Sequence, residues 1–546
     1  MMNPLRAVLL TTAALSLVTS AARAQEPGAP AEPVAARAPE AAGIGGDAAR
    51  DPGQAALDAP ADGQPPPGDD AAAAQAEPGS RDAASPGDED AASDGRPRPR
   101  IGTPRIVDEA EETPEQKLQR YFELYKDAME NEAYAEADVL AKQVVELTIG
   151  IFGVDSLDSA RALTNLGIAQ HQNGDYDSAI TNYEAAIDII ERTEDRLNAN
   201  LVNPLKGLGA AHLANGRPDL AAETFERAVH ITHVNEGPHN LMQVEVLESL
   251  AETYLAAGNL EEVETLTEVI FGLEARGKPL DSMQIIPVLQ KQANWQHRLQ
   301  LFEKERYTWR KIIDIIEDHQ GKDSLELIPP LTGLGKSYLY IGNVDSAFHH
   351  PTSISSGEVY LKRAVRIAEN NPEATWETQE NTLLALGDFY ILSGQPSRAR
   401  KIYQQVWDLL SADEERLENR RQHLETLVVL QDIQPPRYVG IGGEVRTSLP
   451  GEDYEEGELV FDYAVSTRGY TTDIVLVKAE PSAFEAMQRT VQRDLRSLVY
   501  RPRLEDGRTV DTRNLTYTHK FFYRQSDLEE AMKQADVAAS GEQRGR

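Results

Sequence analysis

Histidine, cysteine and the carboxylates are considered first, because they supply most metal ligands, nucleophiles and general bases in proteins. The chain has 546 residues, 11 histidines and no cysteine. The lack of cysteine excludes disulfides, thiolate zinc sites, cysteine nucleophiles and a lipid-modified N-terminal cysteine. His349-His350 is an adjacent pair and His230-x-x-His233 lies at helical spacing, but neither has further ligands at the spacing of a metal or catalytic motif.

Glycine-rich stretches are a second possible source of chemistry, because backbone amides can bind phosphate. Gly440-x-Gly442-Gly443 lacks the strand-to-helix context that a dinucleotide loop requires, and Gly207-x-Gly209 belongs to a repeated helical pattern. The sequence has no serine elbow, phosphate loop or zinc motif. We therefore expect no catalytic residue, no metal site and no cofactor, and a binding function instead of an enzymatic one.

A ladder of glycines organises the middle of the chain. Gly174, Gly216 and Gly258 lie 42 residues apart, and Gly342 follows after twice that interval. A fixed period of this size is the signature of stacked supersecondary units. The last interval is 52 residues, so ten extra residues enter the sixth unit, where residues 349–357 fit the insertion. The aligned ladder positions are Glu132, Gly174, Gly216, Gly258, Gln300, Gly342 and Gly394.

Each unit contains two helical patterns, A and B. Helix A has apolar residues three and four positions apart with a small residue beside them, and helix B has small and large residues at the same spacing. Such a two-helix unit leaves apolar surface that only stacked neighbours can bury. Examples are Leu163-Leu166-Gly167, Leu205-Leu208-Gly209, Leu331-Leu334-Gly335 and Leu383-Leu386-Gly387 in helix A, and Ala179-Tyr183-Ala186 and Ala221-Phe225-Ala228 in helix B.

Residues 113–434 resemble the tetratricopeptide repeat (TPR), in the 42-residue variety of kinesin light-chain-like arrays, with six to seven repeats. The resemblance implies a mainly α fold, an α-solenoid that winds as a right-handed superhelix with a concave groove lined by helix A. It also implies that proteins or peptides bind in this groove. The candidate peptide-binding residues are positions of helix A outside the apolar stripe: Thr164, Lys206, Glu248, Gln290, Thr332, Lys336 and Asp388.

The charge of the chain narrows the choice of partner. Its 89 acidic and 54 basic side chains give a formal net charge of −35, of which −26 lies on residues 106–436. Such a surface repels nucleic acid and anionic membranes. For the repeats we expect a ligand that is basic or bridged by cations and whose affinity falls as salt is added.

The N-terminus has the three parts of a secretory signal. Arg6 supplies the positive start, residues 7–19 are a short apolar run, and Ala22-Arg23-Ala24 is a small-x-small cleavage site. The run is shorter than the roughly 20 residues that a membrane-spanning helix needs, so we expect no strong membrane insertion. We expect residues 1–24 to be a cleaved signal peptide and the protein to be periplasmic; a retained anchor is the alternative.

Residues 25–112 are a low-complexity segment rich in Ala, Pro, Gly and Asp, with almost no large apolar side chains. Such a segment cannot bury enough surface to offset its ordering entropy, so we expect it to be disordered. A spacer is its simplest role, and a recognition tail is the alternative. We also expect a disordered tail at residues 526–546.

Helical periodicity stops at Gln434-Pro435-Pro436, and residues 437–525 follow another pattern. Apolar and polar residues alternate over residues 459–465, which predicts a strand, and residues 473–478 predict a second one. A helix is predicted from Pro481, followed by a last strand at residues 515–523. The predicted order is strand, strand, helix, strand, in a small α+β domain.

This segment resembles the C-terminal domain of the TonB family. The resemblance implies a periplasmic domain that can pair a strand with a short extended segment of a partner. A small cap that closes the repeat array is the alternative. The matching positions are Gly457, Val465-x-x-x-Gly469, Tyr500-x-Pro502, Asp506-Gly507 and Phe521-Phe522-Tyr523.

Together these features predict an exported periplasmic scaffold that binds protein partners, such as envelope or outer-membrane proteins, through a TPR groove and a TonB-like domain. The alternative is a TonB-family energy-transducing component for outer-membrane transport with a retained N-terminal anchor. Such transducers contact their motor through a membrane helix that bears a histidine, and residues 1–24 contain none. A hydrolase or transferase that uses the repeats to deliver substrate is a third hypothesis, and no site motif supports it.

Overall fold

The computed structural model describes residues 112–340, 352–439, 445–446 and 454–533. Outside these ranges lie the predicted signal peptide, the low-complexity segment up to residue 111, Gly342, the glycine loop at residues 440–443 and the tail from residue 534. All described residues belong to the same compact unit. The chain is mainly helical: a TPR-like solenoid is followed by a small α+β region.

The described solenoid consists of helical hairpins, each with an A helix and a B helix. The A helices are α1 (Pro114–Glu130), α3 (Leu157–Gln172), α5 (Val202–Ala214), α7 (Gln243–Ala257), α9 (Ile286–Arg298), α11 (Ile328–Ser337) and α13 (Trp376–Leu392). The B helices are α2 (Tyr134–Phe152), α4 (Tyr176–Thr193), α6 (Pro218–Glu236), α8 (Leu260–Ala275), α10 (Phe302–Gln320), α12 (Thr352–Asn370) and α14 (Pro396–Leu410). A short helix, α15 (Leu417–His423), leads out of the last hairpin.

The ladder position makes the A–B turn with a left-handed backbone in each hairpin where the structure describes it. Gly174, Gly216, Gly258 and Gly394 have φ angles of 82°, 73°, 82° and 74°. Glu132 and Gln300 have φ angles of 57° and 58°, although both carry side chains. The ladder therefore marks a backbone conformation that glycine adopts at the lowest cost, and the register continues through the units that lack the glycine.

Small residues on the A helices allow aromatic side chains of the B helices to approach their backbones. Tyr183 of α4 is fully buried between α3 and α5. A Cβ atom added to Gly207 would lie 2.4 Å from the Tyr183 ring, and one added to Gly167 would lie 2.8 Å from it. One aromatic side chain thus packs against the A helix of its own repeat and that of the next.

The insertion in the sixth repeat ends earlier than the sequence predicts. Residues 349–357 fit the ten extra residues, but helix α12 begins at Thr352. Gly357 is buried, and a Cβ atom there would lie 2.6 Å from the carbonyl oxygen of Gly335. Gly357 therefore occupies the place of the small residue at which a B helix meets its A helix, because only a residue without a side chain fits at this distance.

The hydrophobic cores extend across repeat boundaries. One cluster joins Ile187 of the second repeat, Leu205 and Ile231 of the third and Val246 of the fourth. Another joins Ile286 and Ile312 of the fifth repeat to Leu331 of the sixth. Each hairpin therefore buries its apolar surface against its neighbours, as expected for a repeat array.

The C-terminal region is built on a three-stranded antiparallel sheet in the order β5-β4-β9. Helix α16 packs on it, and Met487, Val491 and Leu495 of this helix share a core with Phe461 and Phe521 of the sheet. The elements are β1 (Val428–Gln431), β2 (Tyr438–Val439), β3 (Val445–Arg446), β4 (Glu455–Val465), β5 (Thr471–Glu480), α16 (Glu485–Leu495), β6 (Val499–Arg501), β7 (Leu504–Glu505), β8 (Arg508–Thr509) and β9 (Thr512–Tyr523).

The main elements follow the predicted order of strand, strand, helix and strand, with shifted ends. All three strands are longer than predicted, and α16 begins at Glu485 rather than at Pro481. Residues 525–533 are helical, although a disordered tail was expected from residue 526. Leu528 of this segment packs against the core of the sheet, and this contact gives the segment apolar burial to offset its ordering entropy.

We expect Gln300→Gly to stabilise the protein by about 1 kcal/mol, because glycine avoids the steric cost of the left-handed conformation. Urea unfolding followed by circular dichroism measures the change. The reverse substitution, Gly258→Gln, is the matched control and should destabilise the protein by a similar amount. A Gln300→Gly variant that unfolds at lower urea than the parent would contradict the role of this turn.

Candidate functional site

The A helices of neighbouring repeats contact one another directly at α3–α5, α5–α7 and α11–α13. Side chains beside their apolar stripes therefore form one surface, which we call the A face. Lys206 Nζ of α5 lies 2.6 Å from Glu245 Oε1 of α7, and Lys291 Nζ of α9 lies 2.7 Å from Glu248 Oε1 of α7. Charged residues on the A face thus pair from one repeat to the next.

Lys291 is held by two carboxylates. Its Nζ also lies 2.7 Å from Glu274 Oε1 of the B helix α8. Burial lowers the pKa of Lys291, but the hydrogen bonds that its ammonium group donates to Glu248 and Glu274 outweigh burial and raise the pKa above its ordinary value. The ammonium group is therefore a fixed positive charge that connects α7, α8 and α9.

A cleft of about 220 Å³ opens on the A face between α7 and α9. It is lined by Glu248, Glu252, Lys291, Asn294, Trp295 and Arg298. The Trp295 side chain is almost fully buried, and the Arg298 guanidinium lies 4.6 Å from its ring centroid. Arg298 also pairs with Glu252, with Nη2 2.5 Å from Oε2. The cleft therefore offers donors and acceptors of both charges beside an aromatic side chain, a combination suited to peptide recognition.

The structure brings only one of the predicted binding residues, Glu248, to this cleft. Thr164 is buried, and its hydroxyl donates to the carbonyl of Ala160 at 2.8 Å, so it does not face a groove as predicted. The prediction failed because a threonine in a helix can bury its hydroxyl against the preceding turn. Gln290 and Thr332 are half-buried and Lys336 is exposed.

Sequence reasoning missed Lys291, Asn294 and Arg298, which lie three and four positions apart on one side of α9. A signal for two of them was present. Glu248 and Glu252 recur on α7 at helical spacing, and one repeat later α9 carries Lys291 and Arg298. Opposite charges at related positions of adjacent repeats could have identified the ion pairs.

Asp388, the last of the predicted binding residues, is occupied by the C-terminal region of the same chain. Arg501 of β6 donates to both carboxylate oxygens of Asp388, from Nε to Oδ1 at 2.9 Å and from Nη2 to Oδ2 at 2.7 Å. Tyr403 of α14 donates to the same carboxylate at 2.8 Å, and Arg501 Nη1 donates to the carbonyl of His423 at 3.0 Å. We call this group the Asp388–Arg501 latch. It fills the position on α13 that was expected to bind a partner.

The latch is buried, because the side chains of Arg501 and Asp388 are only 8% and 14% exposed. Burial lowers the pKa of Arg501, but the Asp388 carboxylate outweighs it, so the pKa is raised and the guanidinium stays charged. Val499 and Leu504 share a core with the last repeat, whereas Tyr500 belongs to the core of the sheet. Strand β6 therefore contributes to both cores.

The C-terminal sheet has an open edge at β5. This strand pairs with β4 on one side, and no other strand of the described residues pairs with it. Val475 and Val477 are 58% and 59% exposed. At the other edge, Phe522 of β9 donates its backbone N–H to the carbonyl of Arg437 at 2.6 Å. An uncovered strand with apolar side chains is a template for pairing with another chain.

The described residues contain neither a cluster of metal ligands nor a helix that could span a membrane. Within these ranges no group of three or more His, Asp or Glu side chains is placed to hold a metal ion. Every described helix is too short or too polar to cross a lipid bilayer. The candidate sites among the described residues are therefore surfaces and clefts.

The chain is similar to several solved repeat structures. A Podosopora anserina protein described as a kinesin light chain with nearly identical TPR-like repeats is 20% identical over 38% of this chain and 99% of its own, with a TM-score of 0.34. BtubC from P. vanneervenii is 17% identical over 48% of this chain and 95% of its own, with a TM-score of 0.30. A tetratricopeptide repeat protein from Parabacteroides merdae is 14% identical over 56% and 97%, with a TM-score of 0.32.

Sequence comparison identifies the repeats. No curated protein matches the chain. Two family models of the tetratricopeptide repeat do match it, one over residues 127–192 and the other over residues 207–227. The chain therefore contains tetratricopeptide repeats, as the resemblance implied.

We expect Arg501→Met to lower the free energy of unfolding by about 3–5 kcal/mol, because it leaves the Asp388 carboxylate buried without its partner. The double variant Asp388→Leu/Arg501→Met should recover much of this loss, since no charge then remains. Urea unfolding measures both. Arg513→Met, at an exposed arginine of β9, is the control. A single variant no less stable than this control would show that the latch does not hold the two regions together.

Proposed function

We propose that this TPR protein is an exported periplasmic scaffold that binds protein partners at two surfaces, the A face of the repeats and the open edge of the C-terminal sheet. The partners are envelope or outer-membrane proteins that present extended segments. The repeats act as a rigid support, because their cores are continuous from one hairpin to the next.

The observation that carries this proposal is the cleft between α7 and α9. It combines the buried Trp295 with two acidic and two basic side chains, all supplied by rigid helices. Aromatic and arginine side chains dominate the binding energy of protein interfaces. A basic side chain of a partner can share the carboxylate of Glu248 with Lys291, or that of Glu252 with Arg298, in agreement with the net negative charge of the array.

The open edge of β5 supports the second surface. Its exposed valines, and an edge that pairs with no second strand among the described residues, fit the addition of a strand from a partner. The resemblance of residues 437–525 to the TonB C-terminal domain supports the same role, because that family pairs strands with short segments of its partners. The signal-like residues 1–24 support export to the periplasm.

Asn294→Arg tests the cleft, because Asn294 is exposed. The arginine side chain is larger and positively charged, so it both fills the cleft and repels a basic ligand. We expect capture of partners from envelope extract to fall about ten-fold, as for substitution at an interface centre. Asn370→Arg, on the exposed surface of the B helix α12, is the matched control. Equal capture by both variants would exclude the cleft as the binding surface.

The sheet edge is tested in the same assay with Val475→Lys/Val477→Lys, because lysines on an edge strand oppose pairing with another chain. We expect this variant to lose a distinct set of partners. Met532→Lys, at an exposed methionine of the last helical segment, is the control. If the β5 variant captures every partner at the parental level, the edge has no binding role.

Export is tested by sequencing the N-terminus of the mature protein from the native host. We expect the first residue to be Gln25, because cleavage follows Ala24 in the small-x-small site. Fractionation should place this form in the periplasm. An intact Met1 in the membrane fraction would overturn this localisation and favour a retained anchor.

A further inference from the structure

The fifth repeat departs from the others at a position where apolar packing between repeats is expected. The second leucine of the helix A pattern is 0–8% exposed in five repeats. In the fifth repeat this position is Gln292, which is half-buried and makes no hydrogen bond to another described residue. A polar side chain therefore replaces the apolar group that packs against the preceding repeat. The five leucines are Leu166, Leu208, Leu250, Leu334 and Leu386.

The fifth repeat also differs in an ion pair between B helices. Its lysine at this position, Lys311, has no acidic partner on the preceding B helix. Arg227 of α6 pairs with Glu191 of the preceding B helix, and Arg363 of α12 pairs with Glu317 of the preceding B helix at 2.5 Å. Glu191 and Glu317 both lie 17 residues after a ladder position. In the fifth repeat the equivalent cation is Lys311, but the position 17 residues after Gly258 is Ala275.

Lys311 forms no ion pair in the part of the chain that the structure describes. Two other charged residues, Glu303 and Lys304, line a cleft together with Lys311, and each has a partner: Glu303 pairs with Arg306 and Lys304 pairs with Glu264. Among the described basic residues that line this cleft, Lys311 is therefore the one without an ion pair, on an array whose net charge is negative. An uncompensated charge beside apolar surface attracts an anion more strongly than a charge in open solvent does.

Gln292 and Lys311 line the same cleft, which has a volume of about 480 Å³ and lies between α8, α9 and α10. Phe271 and Leu289 give it apolar walls, and Gln292 and Lys311 give it polar groups. Gln296 also lines it, and the oxygen of its amide accepts from Thr308 at 2.8 Å, so its amide N–H groups are left to donate elsewhere. The cleft thus combines apolar walls with a cation and amide donors.

We propose that this cleft binds a small apolar carboxylic acid, with the carboxylate on Lys311 and the amides and the apolar group against Phe271 and Leu289. A neutral apolar ligand would leave the ammonium group unpaired, and a purely polar anion would leave the apolar walls in water. The volume lies within the roughly 300–1,000 Å³ of small-molecule sites. The cleft involves the B helices α8 and α10, so it is separate from the A-face cleft of the proposed function.

Isothermal titration of the full chain with naphthaleneacetate tests the site, with the neutral naphthaleneacetamide as the matched ligand. We expect saturable binding of the acid and affinity for the amide at least about ten-fold weaker, because the amide cannot form the charge-assisted hydrogen bond. Lys311→Gln should weaken acid binding about ten-fold, whereas Lys322→Gln, at an exposed lysine with the same charge change, should not alter it.

Two further variants restore the pattern of the other repeats. Ala275→Glu supplies the missing partner of Lys311, and Gln292→Leu restores the apolar contact. Each should abolish acid binding while maintaining or raising the urea midpoint, so loss of binding cannot be ascribed to unfolding. Equal affinity for acid and amide, or equal effects of Lys311→Gln and Lys322→Gln, would overturn the proposal. Binding only of a peptide that ends in phenylalanine, and not of the free acid, would overturn it as well.

Discussion

A left-handed residue at the turn of each helical hairpin is the constraint on which the solenoid depends. Two antiparallel helices joined by so short a connection need one residue outside the right-handed region. The ladder positions supply it, whether the residue is Gly174 or Gln300. Once the turn is fixed, the register of both helices is fixed. Tyr183 then lies between two A helices, and Lys291 reaches the carboxylates of the preceding repeat.

Because the repeats share one pattern, a residue that differs from its equivalents in the other repeats can be recognised within a single chain. The fifth repeat has Glu305 where Ala179, Ala221 and Ala399 lie in other B helices. Glu305 is buried, and its carboxylate accepts from Trp309 Nε1 at 3.1 Å and lies 3.0 Å from His297 Nδ1. A buried carboxylate persists only with such partners. The fifth repeat therefore keeps the fold while it exchanges apolar contacts for polar ones.

The period of the sequence predicts the repeats, because hairpin stacking is a local rule applied many times. The helical hairpins and the order of the main strands in the C-terminal region follow from patterns of one or two turns in length, whereas the ends of several elements differ from the prediction. The A-face cleft does not, because it depends on which side of α9 turns toward α7. Arg501 and Asp388 are 113 residues apart, and no local pattern relates the arginine within a Tyr-x-Pro motif to an aspartate in a helix.

Strand β6 contributes to the core of the last repeat and to the core of the sheet, and this sharing limits which substitutions and domain exchanges the protein can tolerate. Tyr500 packs in the core of the sheet, whereas Arg501 binds Asp388 beside the core of the last repeat. Two neighbouring residues are therefore constrained by different parts of the molecule. A C-terminal domain from another protein could not simply be exchanged at Gln434, because the recipient would lose the partner of Asp388. Recombination should therefore favour exchange of the last repeat and the C-terminal region as one block, and descendants that alter position 388 should alter position 501 as well.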